Sequence, residues 1–395
     1  MKIKTSLKLS LAALMLSALV PLGCTRTREA GPMIEVPAGT FVQGWQADLD
    51  LRRNPVTGLN VVGDQLLVST RNNLVYALSV DGGAIKWSSQ VLAPDRTLGT
   101  PALVGDKIVF PTSNELIVYN KMGRREKEIE LNRSVRSAIT GEGDFVYLGV
   151  DYGSQGRLSR VSLTAPYVPV RWELMTRGAV SSAPAVFQNV IYVASEDGNV
   201  YAVTDERLAI WPLPGNVFST GSPIRADLKV DDTGLYVSGT DSKLYALDRV
   251  TGKIRWQYFA GTPLRSAPTL TSDSVYQYVR GRGVVALDKL TGAHDREPRW
   301  TAEYATAFIA ADAQHVFLRG NDNAIVAVDK ATGSAAFKSQ RDDLTFTAGG
   351  TGTVFAATTD GVIISVKPVK SGGVVGQVVL VPAGAASDFS LRIGG

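Results

Sequence analysis

The 395-residue chain holds one cysteine, Cys24, and two histidines, His294 and His315. So few soft ligands exclude a disulfide framework, a Cys/His zinc site, a c-type haem attachment and an iron–sulfur cluster. Charge of one sign is scarce as well. The formal net charge is +4, and most of the excess sits on Lys2, Lys4 and Lys8. The rest of the chain is nearly neutral, so nucleic acid is not expected as a partner. Gly-x-Ser-x-Gly, His-Glu-x-x-His and P-loop sequences are missing, which leaves no signature of those hydrolases or nucleotide binders. The carboxylate pairs Asp231-Asp232 and Asp342-Asp343 lack the alternating oxygens of a calcium loop. Hydrophobic residues at 45% leave ample material for a large core.

A basic start is followed by the apolar run 9–23 and then by Cys24. This is the layout of a secretory signal, and the run is too short for a membrane-spanning helix. Gly23-Cys24 resembles the lipobox of bacterial lipoproteins, with Pro21 where that motif usually carries Leu. The resemblance implies cleavage before Cys24, lipidation of that cysteine and, with Thr25 rather than Asp after it, sorting to the outer membrane facing the periplasm. Residues 24–40 read as a polar tether.

Beyond residue 40 the chain repeats itself. Aligned on one apolar residue per unit, the copies fall at Leu78, Tyr119, Val161, Val203, Leu247, Leu287, Val328 and Val366. Each unit of roughly 40 residues carries four β-rich runs with period-two alternation and turn signals between them. This predicts an all-β fold, an eight-bladed β-propeller of four-stranded antiparallel blades, over residues 41–381. Residues 382–395 are left as a tail.

Tryptophan marks the register. Trp87, Trp172, Trp211, Trp256 and Trp300 each fall in a fourth run, and Trp45 lies one period upstream of Trp87. Phe337 takes the place in unit seven, and Ile129 is the expected substitute in unit two. A large ring repeated at one position is a packing wedge between blades. There are more candidate fourth strands than blades, so either the strand around Trp45 or the run 373–381 closes the ring; the first arrangement is expected.

Ala246, Asp248, Gly252, Lys253 and Trp256 form A-x-D-x-x-x-G-K-x-x-W. Asp holds the turn through backbone amides, and Gly accepts its positive φ. The motif resembles the tryptophan-docking motif of the pyrroloquinoline-quinone (PQQ)-type propeller repeat family, and the resemblance covers residues 41–380. That family includes quinoprotein dehydrogenases and non-enzymatic lipoproteins of the outer-membrane β-barrel assembly machinery. A lipoprotein signal followed only by blades is similar to the latter. The resemblance implies a scaffold that meets envelope proteins, such as a barrel insertase or its substrates, with no cofactor, no catalytic residue and no membrane contact beyond the lipid. The alternatives are an envelope propeller binding another protein or a polysaccharide, and a quinone-dependent enzyme.

The loops expected on one propeller face carry Arg71, Arg96, Arg136, Arg157, Arg177, Arg265, Arg280, Arg282 and Arg319, with Tyr152 and Phe218. Asp64, Asp106, Glu142, Asp144, Asp231, Asp232, Asp273 and Asp312 fall on the opposite face. Arginine and aromatic residues are enriched at interface hot spots, so Arg96, Arg136, Arg177, Phe218, Arg265, Arg280 and Arg282 are the candidate partner-binding residues. At the N-terminus, Cys24→Ala is expected to move the protein into a soluble exported fraction. Fractionation without detergent checks this, and a variant still in the membrane would refute lipidation.

Overall fold

The computed structural model describes residues 41–368 except 52, 153–154, 212–217, 296, 339–342 and 351–352. The signal, tether, tail and 373–381 run lie outside the described residues. Thirty-two strands form eight four-stranded antiparallel sheets, the blades of a propeller. Blade 1 contains strands Val56–Val62, Gln65–Thr70, Leu74–Ser79 and Ile85–Gln90. Blades 2 to 7 follow over 102–130, 140–176, 185–211, 229–259, 269–302 and 305–338. Blade 8 is built from both ends of the described chain: Phe41–Asp48 pairs with Val362–Pro368 as its outermost strand. The N-terminal strand thus closes the ring and covers an edge that would otherwise be open.

There is no single core. Eight apolar clusters occur, and each is shared by two adjacent blades. Within one strand the side chains alternate between seams. Leu66 and Val68 join the cluster with blade 8, while Leu67 joins the cluster with blade 2. Both faces of every blade are therefore buried, which is why the second strands read as continuous apolar runs.

Seven of the eight seams are fastened at the outer end by a hydrogen bond from the fourth strand, and at the seam between blades 7 and 8 Phe337 joins the apolar cluster. The indole of Trp300 lies on Gly333 in the next blade's turn, and its Nε1 donates to the Lys330 carbonyl at 2.9 Å. Trp256 donates to Lys289 at 3.1 Å, Trp211 to Arg249 at 3.4 Å and Trp172 to Asp205 at 2.6 Å. Trp87 donates to Lys121 at 3.1 Å and Trp45 to Val80 at 2.9 Å. Except at Val80, the accepting carbonyl belongs to the residue after the one whose side chain caps the turn. Asp329 is such a cap, with Oδ1 accepting from the Ala331 and Thr332 amides at 3.1 and 2.8 Å. Gly333 has φ +72°, and a Cβ there would lie 2.6 Å from the Trp300 ring. Glycine is needed both for the turn and for the ring above it.

Blade 2 corrects the expectation for Ile129. Its third-to-fourth-strand turn is one residue shorter, with Asn120 N–H donating to Arg124 where Ser79 donates to Ala84 in blade 1. Lys127, paired with Val118, therefore holds the place that Trp87 holds opposite Ala77. Its Nζ donates to the Ala165 and Leu163 carbonyls of the next blade's turn at 2.7 and 3.3 Å. An ammonium here does the work of the indole N–H, and Ile129 is buried two residues further on.

Trp256→Ala should destabilise the protein by about 3–5 kcal/mol, since ring burial and a hydrogen bond disappear together. Lys127→Ala, which removes only charge-assisted hydrogen bonds at a half-buried site, should cost roughly 1–2 kcal/mol. Urea midpoints of the two variants check the order.

Candidate functional site: the loop face

Second-to-third-strand hairpins and the loops joining successive blades emerge together on one face. Backbone hydrogen bonds sew each hairpin to the loop beside it: Glu196 N–H donates to Ala179 O, and Thr240 N–H to Pro223 O. The next loop returns the contact, Ile224 N–H to Ser195 O and Leu264 N–H to Gly239 O. Two hairpins are also held by an aspartate that accepts from a tyrosine on the third strand. Tyr201 donates to Asp197 at 2.6 Å, and Tyr245 donates to Asp241. Burial of Tyr201, together with that carboxylate, pushes its phenol up to about 12.

The structure places the candidate arginines on this face and divides them. Arg96 is held by Glu115 at 2.8 Å, Arg136 by Asp151 at 2.6 Å and Arg282 by Glu297 at 3.3 Å. Arg157 pairs with Glu173, and Arg319 donates to Asn323 at 2.6 Å and to the Thr345 carbonyl at 2.9 Å. Arg71, Arg177, Arg265 and Arg280 are exposed and form no ion pair among the described residues. Arg265 and Arg280 share a cavity of about 330 Å³ with Thr262, Pro263, Ser266 and Tyr278. Phe218 is buried and meets Tyr245 edge-on, with centroids 5.1 Å apart. It anchors the loop between blades 4 and 5 instead of offering a contact surface, which corrects the expectation of a partner-binding ring there. The Tyr152 side chain lies outside the described residues.

The opposite, turn-bearing face neutralises much of its acid. Lys289 holds Asp231 at 2.6 Å, Lys330 holds Asp273 at 2.8 Å, and Asp64 pairs with Lys86. His294 is exposed beside Asp295, and His315 sits 3.5 Å from Asp312. Sequence reasoning missed Arg225, which Glu196 holds at 2.9 Å across two loops. Arg225 and Arg265 occupy the same place in successive loops, so alignment of loop positions, rather than strands alone, could have found it.

Together, the blades, seams and docked indoles define an eight-bladed propeller of PQQ-like repeats. A family model described as "Outer membrane protein assembly factor BamB" matches residues 42–147 and 209–307, and the chain belongs to that family. Outer membrane protein assembly factor BamB of Nitrosomonas eutropha is 30% identical over 129 residues. That match spans only 31% of this chain and 30% of the relative. Among solved structures, BamB from Moraxella catarrhalis superposes with TM-score 0.64 at 17% identity, over 83% of this chain and 97% of that one. A quinohemoprotein alcohol dehydrogenase, ADHIIG from Pseudomonas putida HK5, follows with TM-score 0.60 at 10% identity, over 89% and 80%. At such identities the structures share a fold. Among the described residues no three His, Cys, Asp or Glu side chains come together to hold a metal.

The Arg225 guanidinium holds the Glu196 carboxyl below its usual range, against partial burial and with help from Ser181. A depressed carboxylate contributes stability above its unfolded pKa, near 4.3. That contribution disappears as pH falls through the lower folded value. Glu196→Gln should therefore cost up to about 1 kcal/mol at pH 7, given the partly exposed pair. Thermal melts between pH 7 and pH 3 should show the gap from wild type closing on the acid side.

Proposed function

We propose that the chain is a non-enzymatic scaffold of the cell envelope that assists assembly of outer-membrane β-barrel proteins, anchored by lipid on Cys24. Membership of the BamB family carries this reading. The strand geometry agrees with it. Phe41 lies opposite Pro368, at the turn-bearing end of blade 8, while Asp48 lies opposite Val362 beside the loop face. A tether entering at Phe41 joins the turn-bearing side, which leaves the loop face and its arginines directed away from the anchor. On that face Arg71, Arg177, Arg265 and Arg280 are exposed cations with no ion pair among the described residues, and the last three are the ones taken to meet a partner.

The test is co-purification of a β-barrel insertase from detergent-solubilised envelope with the full lipoprotein. Joint reversal of Arg177, Arg265 and Arg280 to Glu should lower recovery about ten-fold or more, because charges facing a complementary partner steer and hold it. Melting temperature should stay near wild type. Loss of recovery on reversing Asp64, Asp106 and Asp273 instead would assign the contact to the other face. Recovery of no insertase with wild-type protein would overturn the scaffold reading.

A further inference from the structure

The loop between blades 4 and 5 and the loop between blades 5 and 6 are built alike, and one of them lacks an acid. Ile224 and Leu264 donate their amides to equivalent carbonyls, Ser195 and Gly239, of the preceding blades' hairpins. The next residue in each loop is an arginine, Arg225 and Arg265. The next residue in each hairpin differs: Glu196 in blade 4, Thr240 in blade 5. Glu196 holds Arg225 at 2.9 Å. Thr240 turns its hydroxyl to the Pro223 carbonyl at 2.6 Å, and Arg265 stays exposed with no ion pair among the described residues.

A second cation stands at the same cavity for no reason of folding. The blade 4 and blade 5 hairpins carry Asp197 and Asp241, which accept from third-strand tyrosines. The corresponding hairpin of blade 6 is Arg280-Gly281-Arg282, and it turns on glycine, with φ +77° at Gly281. Arg282 is occupied by Glu297 at 3.3 Å and lies over the Tyr258 ring. Arg280 is exposed and lines the 330 Å³ cavity with Arg265, between the hydroxyls of Thr262 and Ser266 and the half-buried Tyr278. Two unneutralised guanidiniums beside an aromatic wall suit a carboxylate, which arginine grips in bidentate fashion, next to an apolar side chain.

From the acid missing at Thr240 and the two unpaired arginines we infer that this cavity takes a carboxylate side chain from an acidic protein segment, which supplies from outside what Glu196 supplies within the neighbouring loop. This deepens the scaffold reading and rests on it for the partner being a protein. The segment is short, because the cavity holds about one acidic residue and one apolar neighbour.

The experiment titrates purified full-length protein with acetylated, amidated decapeptides carrying one glutamate beside leucine or phenylalanine, followed by fluorescence anisotropy. Glutamate peptides should bind about ten-fold tighter than their glutamine counterparts, the margin expected when a charge-assisted pair becomes neutral. Arg265→Ala and Arg280→Ala should each lose a similar factor. Thr240→Glu should block binding with both arginines present, by giving Arg265 an internal partner. Thr240→Val, which removes the same hydroxyl without adding an acid, should bind like wild type. Equal affinity for glutamine peptides, or undiminished binding by Arg265→Ala and Thr240→Glu, would overturn the inference. So would displacement of the peptide by equimolar succinate or phosphate, which would reassign the cavity to a small anion. Arginine-dependent binding to phosphatidylglycerol vesicles in place of peptides would reassign it to a membrane surface. Insertase recovered normally from envelopes while peptide binding fails would sink this inference alone. Peptide binding retained without insertase recovery would sink the scaffold reading instead.

Discussion

Seven of the eight seams of this ring share one contact: an indole or ammonium from the fourth strand of one blade, set on the turn of the next and donating to its carbonyl. A four-stranded sheet with two apolar faces has no stability alone. The contact ties the outer edge of a sheet to its neighbour, while the apolar cluster fills the seam behind it. Trp300 on Gly333 and Lys330 shows the parts at close range. The ring supplies buried area, the glycine lets it approach, and the carbonyl satisfies the buried N–H. The same turns reach backward as well. Lys289, whose carbonyl accepts from Trp256, extends its ammonium to Asp231 of the preceding blade at 2.6 Å. Adjacent blades are thereby clasped through main chain and side chain at one residue.

Because the clasp repeats, much of the architecture could be read from spacing. Eight aligned apolar positions give the blade count, tryptophans at multiples of one period give the fourth-strand register, and Trp45, one period early, indicates that the N-terminus completes the last blade. Reading failed where chemistry replaced size. Ile129 was the natural choice in blade 2 under a search for a large apolar side chain. A turn one residue shorter moves the docking place to Lys127, whose charged end is the functional part. The loop face was legible in composition and opaque in pairing. That Arg96, Arg136 and Arg282 are held by acids depends on which hairpin leans on which loop. Those contacts cross between segments that strand periodicity does not align. The same limit hid Arg225 and placed Phe218, a core residue, among surface candidates.

Fold and specificity reside in different parts of the molecule. The seams are apolar, repetitive and shared with proteins as different as a dehydrogenase and an assembly factor. They say little about what is bound. The hairpins and loops vary from blade to blade within this one chain, from Asp197 and Asp241 to Arg280-Gly281-Arg282. A rigid ring permits such variation because each loop is fastened locally, by amides to its own hairpin and by arginines to nearby acids. A change at an exposed loop position leaves the seams untouched, whereas buried loop residues such as Phe218 and Leu264 belong to them.

The pairing of Phe41–Asp48 with Val362–Pro368 also sets an order of events during biogenesis. The strand that is synthesised first is the one placed last. Until the final blade has been made, the opening strand has no sheet to join, and blade 1 lacks the neighbour that buries Leu66 and Val68. For that interval the nascent protein exposes a sticky β-edge and an apolar flank, the features that invite mispairing in a crowded compartment. The ring is thus at once a finished structure without edges and, for as long as the chain is incomplete, one that must be kept from joining the wrong sheet.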